Sequence, residues 1–290
     1  MNVYSNRSNM NILLAVDESS ASQIAIEEVA GRPWPEATTV EVLTVVEAGQ
    51  VSNGVNDAAV ALLRGAGLRA LGKVAAGDAK AVIAARAEAM RPDLIVVGSH
   101  RPSALTDLFV GNVAVHTLRH AGCSVAIVRA RLDDGLIPRK ILLAVDGSAY
   151  AEAAARAIAE RPWPARSEVR VLSVVEVVLP AMHALFDPPF VQSDEVQRLR
   201  VEAVARAQRA VSDAVAILAP SGLAVSETIS VLLDGTKEVI LQEARDWGAD
   251  WLFVGSHGRQ GAERLLMGSV SEAIAMQANC SVEVVRARVG

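Results

Sequence analysis

Lys140–Asp146 reads KILLAVD, and Asn11–Asp17, 129 residues earlier, reads NILLAVD. An unbroken apolar run stopped by an aspartate is what a strand buried on both faces looks like. The same offset relates RPWP at 32–35 to RPWP at 161–164, and TVVE at 44–47 to SVVE at 173–176. Further on, VGSH recurs at 97–100 and 254–257, and CSVAIVRAR at 123–131 matches CSVEVVRAR at 280–288. These later pairs are offset by 157, so copy two carries 28 extra residues between Glu176 and Val254. A repeat on this scale marks two tandem domains. Asp133-Asp134-Gly135, before Pro138, reads as the turn between them, giving domains 1–135 and 136–290.

Within copy two, apolar strands at 141–145, 169–175, 225–233, 251–254 and 282–285 alternate with helical spacing. Asp194–Leu218 lacks Gly and Pro and predicts one long helix, while Ser52–Leu63 in copy one allows only a brief one. RPWP ends the first helix of each copy, since proline is not tolerated inside a helix. Alternating strands and helices give an α/β fold: two doubly wound, Rossmann-like domains, each a parallel sheet covered on both faces.

The bulk numbers agree. The chain has 290 residues, 51% hydrophobic but only 3% aromatic, so the core is Ala, Val, Leu and Ile. A net charge of −5 and a pI near 5.6 argue against nucleic acid or an anionic membrane as partner. Two cysteines make no disulfide framework. The first ten residues lack an apolar signal core and no apolar run reaches membrane-spanning length, so a cytoplasmic location is expected.

After the fourth strand of copy two comes Gly255-Ser256-His257-Gly258, nine residues, then Gly268-Ser269-Val270. Glycines permit φ > 0 and close approach of backbone to ligand. Successive N–H groups and a helix N-terminus can then surround phosphate oxygens. Asp146 closes the first strand, and a carboxylate beside the crevice could accept both ribose hydroxyls. The alternative is a turn glycine followed by a helix-capping serine.

The pattern G-x2-G-x9-G-S after strand four, with Val-Asp closing strand one, resembles the nucleotide-binding branch of the universal stress proteins, in tandem form. The resemblance covers nearly the whole chain, twice. It implies a five-stranded parallel sheet of order 3-2-1-4-5 in each copy and ATP with Mg²⁺ as ligand. Asp146 would then hold the ribose and the Val174 backbone the adenine edge. Gly255, Gly258, Gly268, Ser269 and the N–H of Val270 would hold the phosphates.

Copy one departs from the pattern. It reads Gly98-Ser99-His100-Arg101, nine residues, then Gly111-Asn112. Arg101 replaces the second glycine, where a side chain seldom adopts φ > 0 and would crowd phosphates. Asn112 replaces the serine but can still cap a helix. The reading is loss of triphosphate binding in copy one; the rival is that Arg101 pairs with a phosphate. Asp17 and Val45 keep the ribose and adenine positions.

His116 and His120 stand four apart with no third ligand, so a metal role is not expected. His257 recurs as His100 beside a degraded loop, which favours a structural role. Arg259 and Arg264 could neutralise phosphate or be solvated. No Walker loop, HExxH or triad spacing is present, and no general base is evident, so fast hydrolysis is not expected. The leading function is an ATP-binding stress-response or signalling protein whose nucleotide stabilises a conformation or an interface. The alternatives are a slow ATP hydrolase or phosphotransferase, and a protein-interaction scaffold with a relic loop. The near-identical last strands are exposed edges that should pair with each other, making a pseudo-dimer within one chain. A further homodimer of whole chains, and any protein partner, are left open.

Overall fold

The computed structural model describes residues 9–46, 54–99, 111–130, 139–176, 194–232, 235–258 and 267–287. Copy one runs β1 (Asn11–Val16), α1 (Ser20–Gly31), β2 (Thr39–Val46), α2 (Val55–Gly65), β3 (Arg69–Ala76), α3 (Ala79–Met90), β4 (Leu94–Gly98), α4 (Asn112–His120) and β5 (Ser124–Val128). Copy two repeats this as β6 (Lys140–Ala144), α5 (Ala149–Ala159), β7 (Glu168–Glu176), α6 (Asp194–Leu218), β8 (Ala224–Leu232), α7 (Thr236–Trp247), β9 (Trp251–Gly255), α8 (Ser269–Gln277) and β10 (Ser281–Val285).

The strands form one ten-stranded sheet of order β3-β2-β1-β4-β5-β10-β9-β6-β7-β8. Each copy therefore has the 3-2-1-4-5 order, parallel throughout. The two final strands pair antiparallel, Val282 opposite Ile127 and Glu283 opposite Ala126. One apolar layer, under α1, α2, α5 and α6, runs across both copies on one face of the sheet; a second lies on the other. Strands covered on both sides are largely apolar, and β4, β5, β9 and β10 are buried along nearly their whole length, with Glu283 a buried charge in β10.

The repeat is reproduced bond for bond at its turns. Trp34 Nε1 donates to Val29 O at 2.8 Å and Trp163 Nε1 to Ile158 O at 2.9 Å. Thr38 and Ser167 hydroxyls donate to the carbonyls of Pro35 and Pro164, both at 2.7 Å. The extra sequence of copy two enters partly as helix: α6 has 25 residues where α2 has 11. The expected boundary at 133–135 lies outside the described residues, as does most of the span that carries the rest of the insertion. Among the described residues no helix is long and apolar enough to cross a membrane.

Candidate functional site

In copy two β6 pairs with β9, Ala144 beside Val254, so Asp146 and Gly255 emerge at the same end of neighbouring strands. Chain connections diverge there, and the crevice this leaves is where open α/β sheets bind ligands. Gly147 follows with φ +79°, a conformation that favours glycine. The turn it makes lets Asp146 Oδ1 accept the Ser148 N–H at 3.0 Å. Ser148 then caps α5, its Oγ accepting from Ala151 N at 3.1 Å.

Facing this turn is the glycine loop. Gly268 N donates to Ser256 O at 2.9 Å, which closes the loop onto the end of β9. Ser271 Oγ donates to Gly255 O at 2.6 Å and ties α8 to the same strand end. Gly268 occupies the cap position of α8 with no side-chain cap, and Ser269 and Val270 open the helix. Their side of the helix carries the partial positive charge of its dipole and unsatisfied N–H donors.

Two sequence expectations need correction here. Gly255, Gly258 and Gly268 do not have positive φ; Gly268 lies at −64°. What these positions share is proximity, closest at Gly255. A Cβ on Gly258 would sit 3.0 Å from Asp146 Oδ2, one on Gly268 3.2 Å from Ser256 O, and one on Gly255 2.7 Å from the Tyr150 backbone. The first glycine is thus a helix-packing residue, as Gly98 is in copy one, where a Cβ would fall 2.1 Å from Ala21 O. The second correction concerns the caps: Gly111 and Gly268 take the cap position, and Asn112 and Ser269 are the first helical residues.

Asp146, Val174, Gly255, Gly258, Gly268, Ser269 and Val270 all line one cavity of about 490 Å³. That volume suits a ligand of nucleotide size. The cavity has another wall that the sequence pattern did not point to. Ala203, Arg206 and Ala207 reach it from α6, and Thr236 from α7. The small residues on α6 were a legible signal, because they let that helix approach the strand ends. Arg206 is half exposed and lies 3.8 Å from Glu202. His257 is buried, its Nδ1 3.0 Å from Ser256 Oγ and its ring 4.9 Å from that of Tyr150. Its carbonyl accepts from Ser148 Oγ at 3.4 Å, so this residue knits the two turns together.

In copy one the aspartate is otherwise engaged. Asp17 Oδ1 accepts from the Ser22 hydroxyl at 2.6 Å and from Ser19 N at 3.0 Å. Ser22 Oγ in turn accepts from Asp17 N at 3.0 Å. Copy two has Ala151 in place of Ser22. Partial burial works to raise the Asp17 pKa, but the hydrogen bonds from Ser19 and Ser22 outweigh it and hold it below the ordinary 3.8. His100, Arg101, Arg259, Arg264 and the segment 179–190 lie outside the described residues. His116 and His120 stack at 4.1 Å, and His120 Nδ1 lies 2.8 Å from His116 O. Among the described residues no three His, Cys, Asp or Glu side chains converge on a metal-sized site.

The model of the universal stress protein family matches residues 53–129 and 138–286, more than half of the chain. The chain belongs to the universal stress protein family. It carries two tandem domains of that family. A universal stress protein of Mycobacterium tuberculosis is 31% identical over 202 residues, 67% of this chain and 62% of the relative's length. The chain thus spans less than two thirds of the mycobacterial relatives it matches. Universal stress protein YxiE of Bacillus subtilis is 26% identical over 147 residues, covering 51% of this chain and 98% of that protein. Among solved structures, a universal stress protein from Archaeoglobus fulgidus covers 95% of this chain and 98% of its own with a TM-score of 0.65 at 19% identity, a likeness of fold.

Proposed function

We propose that this chain binds an adenine nucleotide, ATP with Mg²⁺, in copy two, and that occupancy stabilises one conformation of the two-copy assembly. The observation that carries this is the convergence of three features on one cavity. They are the uncapped start of α8, the Cβ-free approach of Gly258 to Asp146, and the carboxylate itself at the mouth of β6. Phosphates would lie against the N–H groups of Ser269 and Val270, with Gly258 and Gly268 leaving room for them and Gly255 letting α5 pack against the end of β9. Asp146 Oδ2 would take the ribose hydroxyls and the Val174 backbone the adenine edge. Mg²⁺ would be carried mainly by the phosphates and water, the usual arrangement for this ion.

The reading favours a binding protein over an efficient hydrolase. Of the described lining groups able to move a proton, Asp146 already accepts the Ser148 N–H and His257 Nδ1 faces the Ser256 hydroxyl. The sequence carries no Walker loop, HExxH or triad spacing that would activate a water. Copy one is assigned no triphosphate, because Arg101 and Asn112 stand where copy two has Gly258 and Ser269.

Thermal unfolding with and without ATP–Mg²⁺ tests this. A ligand at about 100 times its dissociation constant should add about 2.7 kcal/mol. An unchanged midpoint at millimolar nucleotide, in protein shown to be nucleotide-free, would return the chain to the scaffold reading.

A further inference from the structure

The β5–β10 seam carries a pair of arginines related by the repeat. Arg129, just after β5, is 1% exposed. Its Nη1 donates to Cys280 O at 3.0 Å and its Nη2 to Ala275 O, a last-turn carbonyl of α8. Arg286, just after β10, donates from Nη2 to Leu118 O at 3.1 Å, the equivalent carbonyl of α4. Both backbones are fixed the same way: Arg129 N donates to Ser281 Oγ at 3.1 Å and Arg286 N to Ser124 Oγ at 3.2 Å. Each copy thus holds the C-terminal end of the other copy's last helix. A helix cannot satisfy its own last carbonyls, and a guanidinium there complements the dipole.

The symmetry is broken in two places. First, α8 opens onto the cavity with Ser269 and Val270, whereas α4 opens onto the altered loop of copy one. Second, α8 receives an extra grip: Arg119 of α4 bonds Glu272 in its first turn, Nε to Oε1 at 2.9 Å. The repeat gives the reverse link no chemistry, since Met276 and Val115 stand at the equivalent positions. Copy one therefore holds α8 at both ends, while this arginine clasp holds α4 at one.

We infer that Arg129 and Arg119 are positioning residues for the nucleotide site, so that copy one sets the affinity of copy two. The inference rests on the nucleotide reading above. α8 has only nine residues, so fixing its last turn and Glu272 fixes where its first N–H groups point. A phosphate bound at that end in turn favours the docked helix, and by reciprocity the seam.

The repeat supplies the control. Arg129→Lys and Arg286→Lys each keep the charge and lose the guanidinium at equivalent places on one seam. Arg129 bonds there through both Nη atoms, and Arg286 through Nη2 to Leu118 O and, at 3.5 Å, to Arg119 O. Titration of ATP–Mg²⁺ into the full chain should show affinity weakened roughly 2- to 30-fold in Arg129→Lys, the range expected for remote coupling. Arg286→Lys should leave affinity within about twofold of wild type while lowering the unfolding midpoint comparably. Arg119→Gln, which cuts a half-exposed pair and does not threaten folding, should weaken binding in the same direction as Arg129→Lys. Equal affinities in Arg129→Lys, Arg119→Gln and wild type overturn the inference and leave the nucleotide reading standing. So does equal weakening by Arg129→Lys and Arg286→Lys, which would mean general loosening of the seam. No binding by the wild type removes the nucleotide reading and this inference with it.

Discussion

Arg161 and Glu283 form a two-pronged ion pair sealed inside the protein, Nη1 to Oε2 at 2.6 Å and Nη2 to Oε1 at 2.7 Å. The Glu283 side chain is 0% exposed and that of Arg161 9%. Across the seam the repeat places Arg32 and Ala126 at the matching positions, so copy one has the cation without the carboxylate. Arg32 instead lies among the rings of Trp34, Trp163 and Trp251, 3.9 Å from the centre of Trp163. Burial, then the neighbouring Arg161, push its pKa down, with Glu283 and Glu28 opposing. A second pair, Arg139–Glu28 at 2.7 Å, joins the two copies beside it.

This asymmetry makes Glu283 the group that balances the seam. Glu283→Ala should cost about 3–5 kcal/mol, the usual result of leaving one buried charge unpaired. Denaturant unfolding of the full chain checks it. A loss below about 1 kcal/mol would mean that water reaches Arg161 and that the pair is not sealed.

Gly98 and Gly255 make the same claim in the two copies: glycine is kept where helix one touches strand four. Alanine at either position must displace backbone, at Gly98 the Ala21 carbonyl and at Gly255 the Tyr150–Ala151 peptide. Each substitution should destabilise by about 1–3 kcal/mol, as overpacking does. Gly98→Ala should do so without any change in nucleotide affinity. An innocuous Gly98→Ala would show that the contact between helix one and strand four does not require glycine.

Asp17 yields a prediction in pH. Its folded pKa lies below 3.8, so it contributes stability that is present above that value and is lost as pH falls through the folded pKa. Ser22→Ala removes the hydroxyl that donates to Asp17 Oδ1 at 2.6 Å, at a cost of about 1 kcal/mol near neutrality. The gap between wild type and variant should be flat above about pH 5 and close in strong acid. Stability curves measured against pH that stay parallel down to about pH 2 would contradict this.

Much of the fold is legible in the sequence because both copies report on it. Each strand is an apolar run seen twice, and the change of offset from 129 to 157 by itself places the insertion between Glu176 and Val254. The seven residues carried over from the family pattern meet at one cavity, since all sit at strand ends or at a helix start. What stays hidden depends on side chains distant in sequence. Nothing in GSHG says that Gly258 lies against Asp146 without a positive φ. Arg206 and the alanines of α6 join the site only when the long helix folds over β7. Two departures stand in the repeat itself: Ser22 against Ala151, and Glu283 as the single charge in SVEVV where copy one has Ala126. Each marks a place where the side-chain contacts of the two copies differ.

The division of labour between the copies is most directly tested by calorimetric titration of ATP–Mg²⁺ into wild type, Gly258→Arg and Arg101→Gly. The account predicts one site per chain in wild type, none in Gly258→Arg, and still one in Arg101→Gly, because Asn112 still stands where copy two has Ser269 and the Ser22 hydroxyl still donates to Asp17 Oδ1. Two sites in the wild type, or one that survives in Gly258→Arg, would contradict it.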